Sequence, residues 1–116
     1  MTDKLKLAVF ASHGGSNLQS IIDASRDPDF PAEVALVVSN NLKAFALTRA
    51  GKAGIPTVVW QKKKFADAKA YVDFILEKLR EHGIDLICLA GYMKLIPSEL
   101  IRRYRIINIH PALLPK

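Results

Sequence analysis

Cysteine, tryptophan and acidic residues are the scarce components of this sequence. One cysteine in 116 residues excludes an intrachain disulfide framework. Cys88 lies inside Leu86-Ile87-Cys88-Leu89-Ala90, where it reads as a small buried hydrophobe in a reducing compartment, the cytoplasm. No apolar run approaches the length of a membrane span, so no membrane partner is expected. The three histidines, His13, His82 and His110, lack metal-ligand spacing and no Cys-x-x-Cys occurs, so no metal is expected. A Gly-x-Ser-x-Gly elbow is also missing, which argues against a serine hydrolase. Acids number 11 against 17 lysines and arginines, a net charge of +6. The one basic run, Gln61-Lys62-Lys63-Lys64, has no interleaved aromatics and reads as a solvated loop, so nucleic acid is not the expected partner. Phosphorylated or polyanionic small molecules explain the charge balance equally well. Repeats, low-complexity stretches and interdomain linkers are absent, which leaves residues 1–116 as a single domain.

Half of the residues are apolar, and a chain of this length buries roughly two-thirds of its unfolded surface. Lys4–Ala11 puts charge ahead of apolar residues as a secretory leader does, but Lys6 interrupts it and the apolar core is short; it reads as a first strand. Leu18, Ile21 and Ile22 then fall on one helical face ahead of Pro28. Glu33–Ser39 is a second strand, and Lys43–Ala53 a helix carrying Phe45, Leu47, Ala50 and Ala53, stopped by Gly54. Pro56–Trp60 is a short third strand. Phe65–His82 is the longest helix, with Val72, Ile75, Leu76 and Leu79 as its buried stripe and Gly83 as its end. Ile84–Ala90 is a fourth strand of the kind that burial on both faces produces. Pro97-Ser98-Glu99 opens a short helix, and Arg105–Ile109 is the fifth strand. This alternation predicts an α/β fold: a Rossmann-like, doubly wound, mostly parallel sheet of about five strands with helices on both faces. Nothing after Lys116 covers the fifth strand, so the chain reads as the front part of a larger protein, and its exposed edge as a route to self-association.

Three loops on the ligand side of such a sheet carry chemistry. Ser12-His13-Gly14-Gly15-Ser16-Asn17 opens a helix, where backbone N–H groups and the helix dipole suit a phosphate, and Ser16 or Asn17 can cap the helix. It is neither G-x-G-x-x-G nor a P-loop, and the second strand ends in Ser39-Asn40 rather than a ribose-binding acid. A phosphate monoester therefore fits better than a dinucleotide, with a purely structural glycine turn as the bland alternative. In the loop after the fourth strand, Leu89, Met93, Leu95, Ile96 and Ile101 can wall a flat aromatic ligand or simply fill a core, and Lys94 is a polar handle or a surface lysine. Last comes Ile106-Ile107-Asn108-Ile109-His110-Pro111. Asn108 and His110 stand two apart on a strand that Pro111 ends, so both aim into the crevice, or else cap and brace the turn.

Together, Gly15-Ser16-Asn17-Leu18-Gln19, Leu89-Ala90-Gly91-Tyr92-Met93-Lys94 and Asn108-Ile109-His110-Pro111-Ala112-Leu113-Leu114-Pro115 resemble the glycinamide ribonucleotide (phosphoribosylglycinamide) formyltransferases of the folate-dependent formyltransferase family. The last stretch is shared by the wider family, and Gly-Ser-Asn-Leu-Gln narrows it. The resemblance implies formyl transfer from N10-formyltetrahydrofolate, the co-substrate, to the amine of glycinamide ribonucleotide in purine biosynthesis. It also implies that Gly15, Ser16, Asn17 and Leu18 hold the phosphate, and that Leu89, Met93, Lys94, Leu95, Ile96 and Ile101 line the folate pocket. Met93 and Pro111 would also lie near the nucleotide, with Asn108 and His110 catalytic. The residue types suit the reaction: an Asn108 amide donates to the oxyanion of the acyl centre, and His110 stabilises it and moves a proton.

Two departures stand out. His13 replaces the first glycine of the family's Ser-Gly-x-Gly-Ser-Asn turn. The family's catalytic aspartate and parts of its folate pocket are expected beyond Lys116, so the C-terminal part of the fold is missing and residues 1–116 alone are expected to turn over negligibly. A formyltetrahydrofolate hydrolase-type enzyme and a non-catalytic phosphate-binding fragment are the alternative readings.

Overall fold

The alternating apolar residues of β1 (Leu5–Phe10) set the architecture of the whole chain. In the computed structural model, which describes residues 4–109, Leu7, Val9 and Ala11 belong to one core, and Ala8 and Phe10 to another on the opposite face of the sheet. Successive strand side chains point to opposite faces, so a strand apolar on both needs cover on both. The first face is covered by α1 (Ser16–Ser25) and α2 (Phe45–Lys52) through Leu18, Ile21, Ile22, Ala46 and Ala50. The second is covered by α3 (Ala68–Glu81) and α4 (Ser98–Arg103) through Tyr71, Val72, Ile75, Leu79 and Leu100. Burial of each such Leu or Ile side chain contributes roughly 1.5–3 kcal/mol.

The other strands are β2 (Ala32–Ser39), β3 (Thr57–Val59), β4 (Leu86–Leu89) and β5 (Arg105–Asn108). All neighbouring pairs are parallel, in the order β3-β2-β1-β4-β5. This is the predicted doubly wound, Rossmann-like sheet. A register shift between Leu7 and Ala8 passes over Ala35 of β2, pairing Leu7 with Val34 and Ala8 with Leu36. That slip lets Val34 and Val37 share the α1/α2 face although they are three positions apart. At the sheet's edge, β5 pairs with β4 and leaves Ile107 40% exposed. Among the described residues no helix is long and apolar enough to cross a membrane.

Three sequence expectations change in detail. In α2 the buried residues are Ala46 and Ala50, whereas Phe45 is half exposed beneath the Arg49 guanidinium, 4.9 Å from the ring centroid. Small residues are what allow α2 to approach the glycine turn. Helix α3 starts at Ala68, after the N-cap Asp67, whose Oδ1 accepts from the Ala70 N–H at 2.9 Å. Phe65 therefore lies outside the helix, against the rings of Tyr71 and Phe74. The buried stripe of α3 gains Tyr71, while Leu76 is only partly buried. Tyr71 is drawn in by Trp60, which stacks on it at 4.1 Å and donates its indole N–H to the Tyr71 carbonyl at 2.9 Å.

Candidate functional site

Parallel pairing aligns the carboxyl ends of the strands. Val58, Val38, Phe10, Leu89 and Asn108 form one row across β3, β2, β1, β4 and β5. From β1 the chain winds outward to β2 and β3, then returns past β1 to add β4 and β5 on its other side. The β1/β4 junction is thus the topological switch point, where an open α/β sheet leaves a crevice.

On one side of that junction lies the glycine turn. Gly15 occupies the N-cap position of α1 with φ +77°, and no side chain caps the helix. This corrects the expectation that Ser16 or Asn17 would cap it: both are inside the helix. The Gln19 N–H donates to the Gly15 carbonyl at 2.8 Å, which leaves the N–H groups of the first turn without intrahelical partners. Leu18 is fully buried, so only its backbone can face a ligand, while Ser16 is exposed and Asn17 half-buried. Helix α2 holds the turn in place: the Ala46 N–H donates to the His13 carbonyl at 3.0 Å, and Arg49 Nε donates to the Gly14 carbonyl at 2.8 Å. Arg49 also donates to Gln19 Oε1 at 3.3 Å. A hollow of 270 Å³ along the flanks of α1 and α2 is lined by Gln19, Arg26, Phe45, Arg49, Lys52 and Ala53; of its cations Arg49 is the one that reaches the turn. Unsatisfied amides, a helix dipole and the Arg49 guanidinium all favour an anion. The side chain of His13 is exposed.

Across the junction, β4 leads through Gly91, φ +73°, into an irregular segment reaching Pro97. Met93 and Leu95 are 69% and 93% exposed. With Lys94 and Ile96 they form one wall of an open groove of 1510 Å³ whose opposite wall includes Trp60, Tyr71, Lys62 and Lys69. Leu89 and Ile101 do not line it: Leu89 sits in the ladder between Phe10 and Asn108, and Ile101 is 60% exposed on α4. Below the groove the Tyr92 ring meets Phe10 edge-on at 5.4 Å. Its hydroxyl is buried and has no hydrogen-bond partner among the described residues. Burial pushes the Tyr92 phenol far up, and desolvation raises Tyr71 as well.

Asn108 ends β5 as an exposed residue beside Leu89. Strand alternation sets it on the α3/α4 face with Ile106. His110 and Pro111 lie outside the described residues. Among the described residues no group of three His, Cys, Asp or Glu side chains could hold a metal ion.

One residue at the centre of this edge was missed by sequence reasoning. Ser12 is 1% exposed; its hydroxyl donates to Asn40 Oδ1 at 2.6 Å and accepts from the Met93 N–H at 2.8 Å. Its N–H donates to the Gly91 carbonyl at 3.3 Å, and its carbonyl accepts from Asn41 Nδ2 at 3.2 Å. Ser12 thus joins the exits of β1, β2 and β4. Ser39-Asn40, read from sequence as a missing ribose acid, serves here as a loop clamp. A polar residue placed directly after an apolar strand was the one available signal.

Comparison with known proteins matches residues 5–116 to the formyl transferase family model. A phosphoribosylglycinamide formyltransferase from Haemophilus influenzae is 45% identical over 113 residues, covering 96% of this chain and 53% of that protein. One from Bacillus subtilis is 41% identical, covering 95% of this chain and 57% of that protein. The chain therefore spans about half the length of these relatives. Among solved structures, the phosphoribosylglycinamide formyltransferase from Brucella melitensis superposes with a TM-score of 0.89 at 44% identity, over 97% of this chain and 60% of that one.

Proposed function

This chain belongs to the formyl transferase family, and we propose that it forms the ribonucleotide-binding and acyl-stabilising part of a glycinamide ribonucleotide formyltransferase of purine biosynthesis. In this reading the amine of glycinamide ribonucleotide attacks the formyl carbon of N10-formyltetrahydrofolate. The new C–N bond forms, the bond from carbon to N10 breaks, and one proton passes from the amine to N10. The observation that carries the proposal is the single edge shared by the glycine turn after β1, the 91–97 loop after β4 and Asn108 at the end of β5.

Gly15, Ser16, Asn17 and Leu18 hold the phosphate through backbone N–H groups at the start of α1, supported by the unpaired first-turn amides and the adjacent Arg49. Met93, Lys94, Leu95 and Ile96 receive the folate; their exposed apolar surface and the lysines across the groove suit a flat ring with an anionic tail. Pro111 borders the nucleotide. The Asn108 amide donates to the oxygen that becomes negative as the amine attacks, a contribution typically worth ~3 kcal/mol. His110 stabilises the same charge and carries the proton between nitrogens. No metal takes part. A cytoplasmic location belongs to the same proposal, as does pairing of the β5 edge, with its exposed Ile107, to a second strand.

Formyl transfer measured with both substrates tests the reading. The full-length protein is expected to formylate glycinamide ribonucleotide and to ignore free glycinamide, which lacks the phosphate. Release of formate to water at an equal rate without the ribonucleotide would count against it.

A further inference from the structure

Ser12 touches neither the groove nor the first-turn amides, yet the backbone hydrogen bonds that anchor the loop between them run through it. Among the described residues, the hydrogen bonds that tie residues 91–96 to the rest of the chain are two: the Gly91 carbonyl to the Ser12 N–H, and the Met93 N–H to Ser12 Oγ. The remaining support for this segment is packing, chiefly Tyr92 on Phe10, the last residue of β1 and two positions before Ser12. The loop otherwise has no regular structure, carries Gly91 in the left-handed region, and exposes Met93 and Leu95. Such a segment keeps one conformation only where its polar anchors are fixed.

The hydroxyl of Ser12 is itself oriented. It has one hydrogen, which goes to Asn40 Oδ1, leaving a lone pair for the Met93 amide. Asn40 is held in turn by Gln61, whose Nε2 donates to the Asn40 carbonyl at 3.1 Å. Gln61 lines the groove's far wall. One chain of hydrogen bonds therefore links both walls of the groove to the strand that carries the glycine turn.

We propose that Ser12 is a positioning residue: its hydroxyl sets the distance between the wall formed by Met93–Ile96 and the glycine turn, and so the alignment of the formyl donor with the ribonucleotide amine. This rests on the functional reading above. Removing the hydroxyl unpairs the Met93 N–H and Asn40 Oδ1 but leaves the Gly91–Ser12 backbone bond and the packing of Tyr92 on Phe10, so the fold is expected to survive while the loop loosens.

The test combines two measurements on full-length Ser12→Ala and Ser12→Cys. The second keeps the buried volume but offers only a weak sulfur acceptor. In the ligand-free protein, amide exchange at Met93 is expected to accelerate at least tenfold in both variants, with Phe10 and Ile87 unchanged. In turnover, KM for the formyl donor is expected to rise at least fivefold and kcat to fall, while KM for the ribonucleotide changes less than twofold. Unchanged Met93 exchange, or an equal rise in both KM values, overturns the proposal. If the wild-type protein transfers no formyl group but Met93 exchange still accelerates in the variants, the anchor stands and the functional reading fails; the two failures are thereby distinguished.

Discussion

A β-carbon placed on Gly15 would stand 2.8 Å from the Ala46 side chain and 2.9 Å from the Ala46 α-carbon, closer than real contacts allow. Gly15 also has φ +77°, where L side chains are strained. The closeness lets the Ala46 N–H reach the His13 carbonyl and seats the turn on α2. Gly14, one residue earlier, has open space around its β-position. Gly15→Ala is therefore expected to cost about 2–4 kcal/mol from backbone strain and overpacking, and to abolish phosphate-ligand binding. Gly14→Ala should cost under about 1 kcal/mol, as at an ordinary exposed position. Denaturant unfolding of both variants checks the contrast, and equal losses would contradict it.

Cys88 gives a pH dependence of defined sign. Its side chain is buried, and burial alone pushes the thiol from an ordinary 9.0 up to about 11. Between those values the unfolded chain has released the proton and the folded chain has kept it. Stability from this group is thus complete below pH 9 and falls as pH rises toward 11, by at most about 2–3 kcal/mol. Cys88→Ala should flatten that part of the profile while leaving a residual alkaline loss from the buried phenols of Tyr92 and Tyr71, whose raised values act in the same direction. Urea midpoints at pH 8 and pH 10.5 measure it, and parallel profiles for the two proteins would show that the thiol is not the cause.

Much of this fold was legible because its determinants are local. Leu18, Ile21 and Ile22 mark the buried face of α1 by spacing alone, and Gly54 and Gly83 sit in the left-handed region just past α2 and α3. Alternation of elements sufficed for the parallel, doubly wound sheet. What sequence could not reveal depends on partners far along the chain. The ligands of Ser12 are 28 and 81 positions away. Gly15 acts as the cap, rather than Ser16, because α2 crowds the turn from outside. Tyr71 replaces Leu76 in the core because Trp60, eleven residues earlier, stacks on it. Of the site, the three loops were visible as composition, but the groove admits Met93–Ile96 and not Leu89 or Ile101, which is a matter of register.

In the proposed reaction Asn108 separates catalysis from stability. Its side chain is exposed at the end of an edge strand, so Asn108→Ala is expected to change unfolding by less than about 0.5 kcal/mol. Loss of an oxyanion donor should lower kcat by about 10²–10³ with binding of the ribonucleotide preserved. Steady-state kinetics beside a melting curve checks both, and turnover near the wild-type level would remove Asn108 from the reaction.

In the proposed enzyme one small molecule bridges two strand ends, its phosphate at the start of α1 and its amine at the end of β5. A crystal structure of the full-length protein with glycinamide ribonucleotide measures this directly. Phosphate oxygens are expected within hydrogen-bond distance of the N–H groups of residues 15–18, with the glycinamide amine beside the Asn108 side chain. Phosphate bound elsewhere, or an amine turned away from β5 with the phosphate in place, would contradict it.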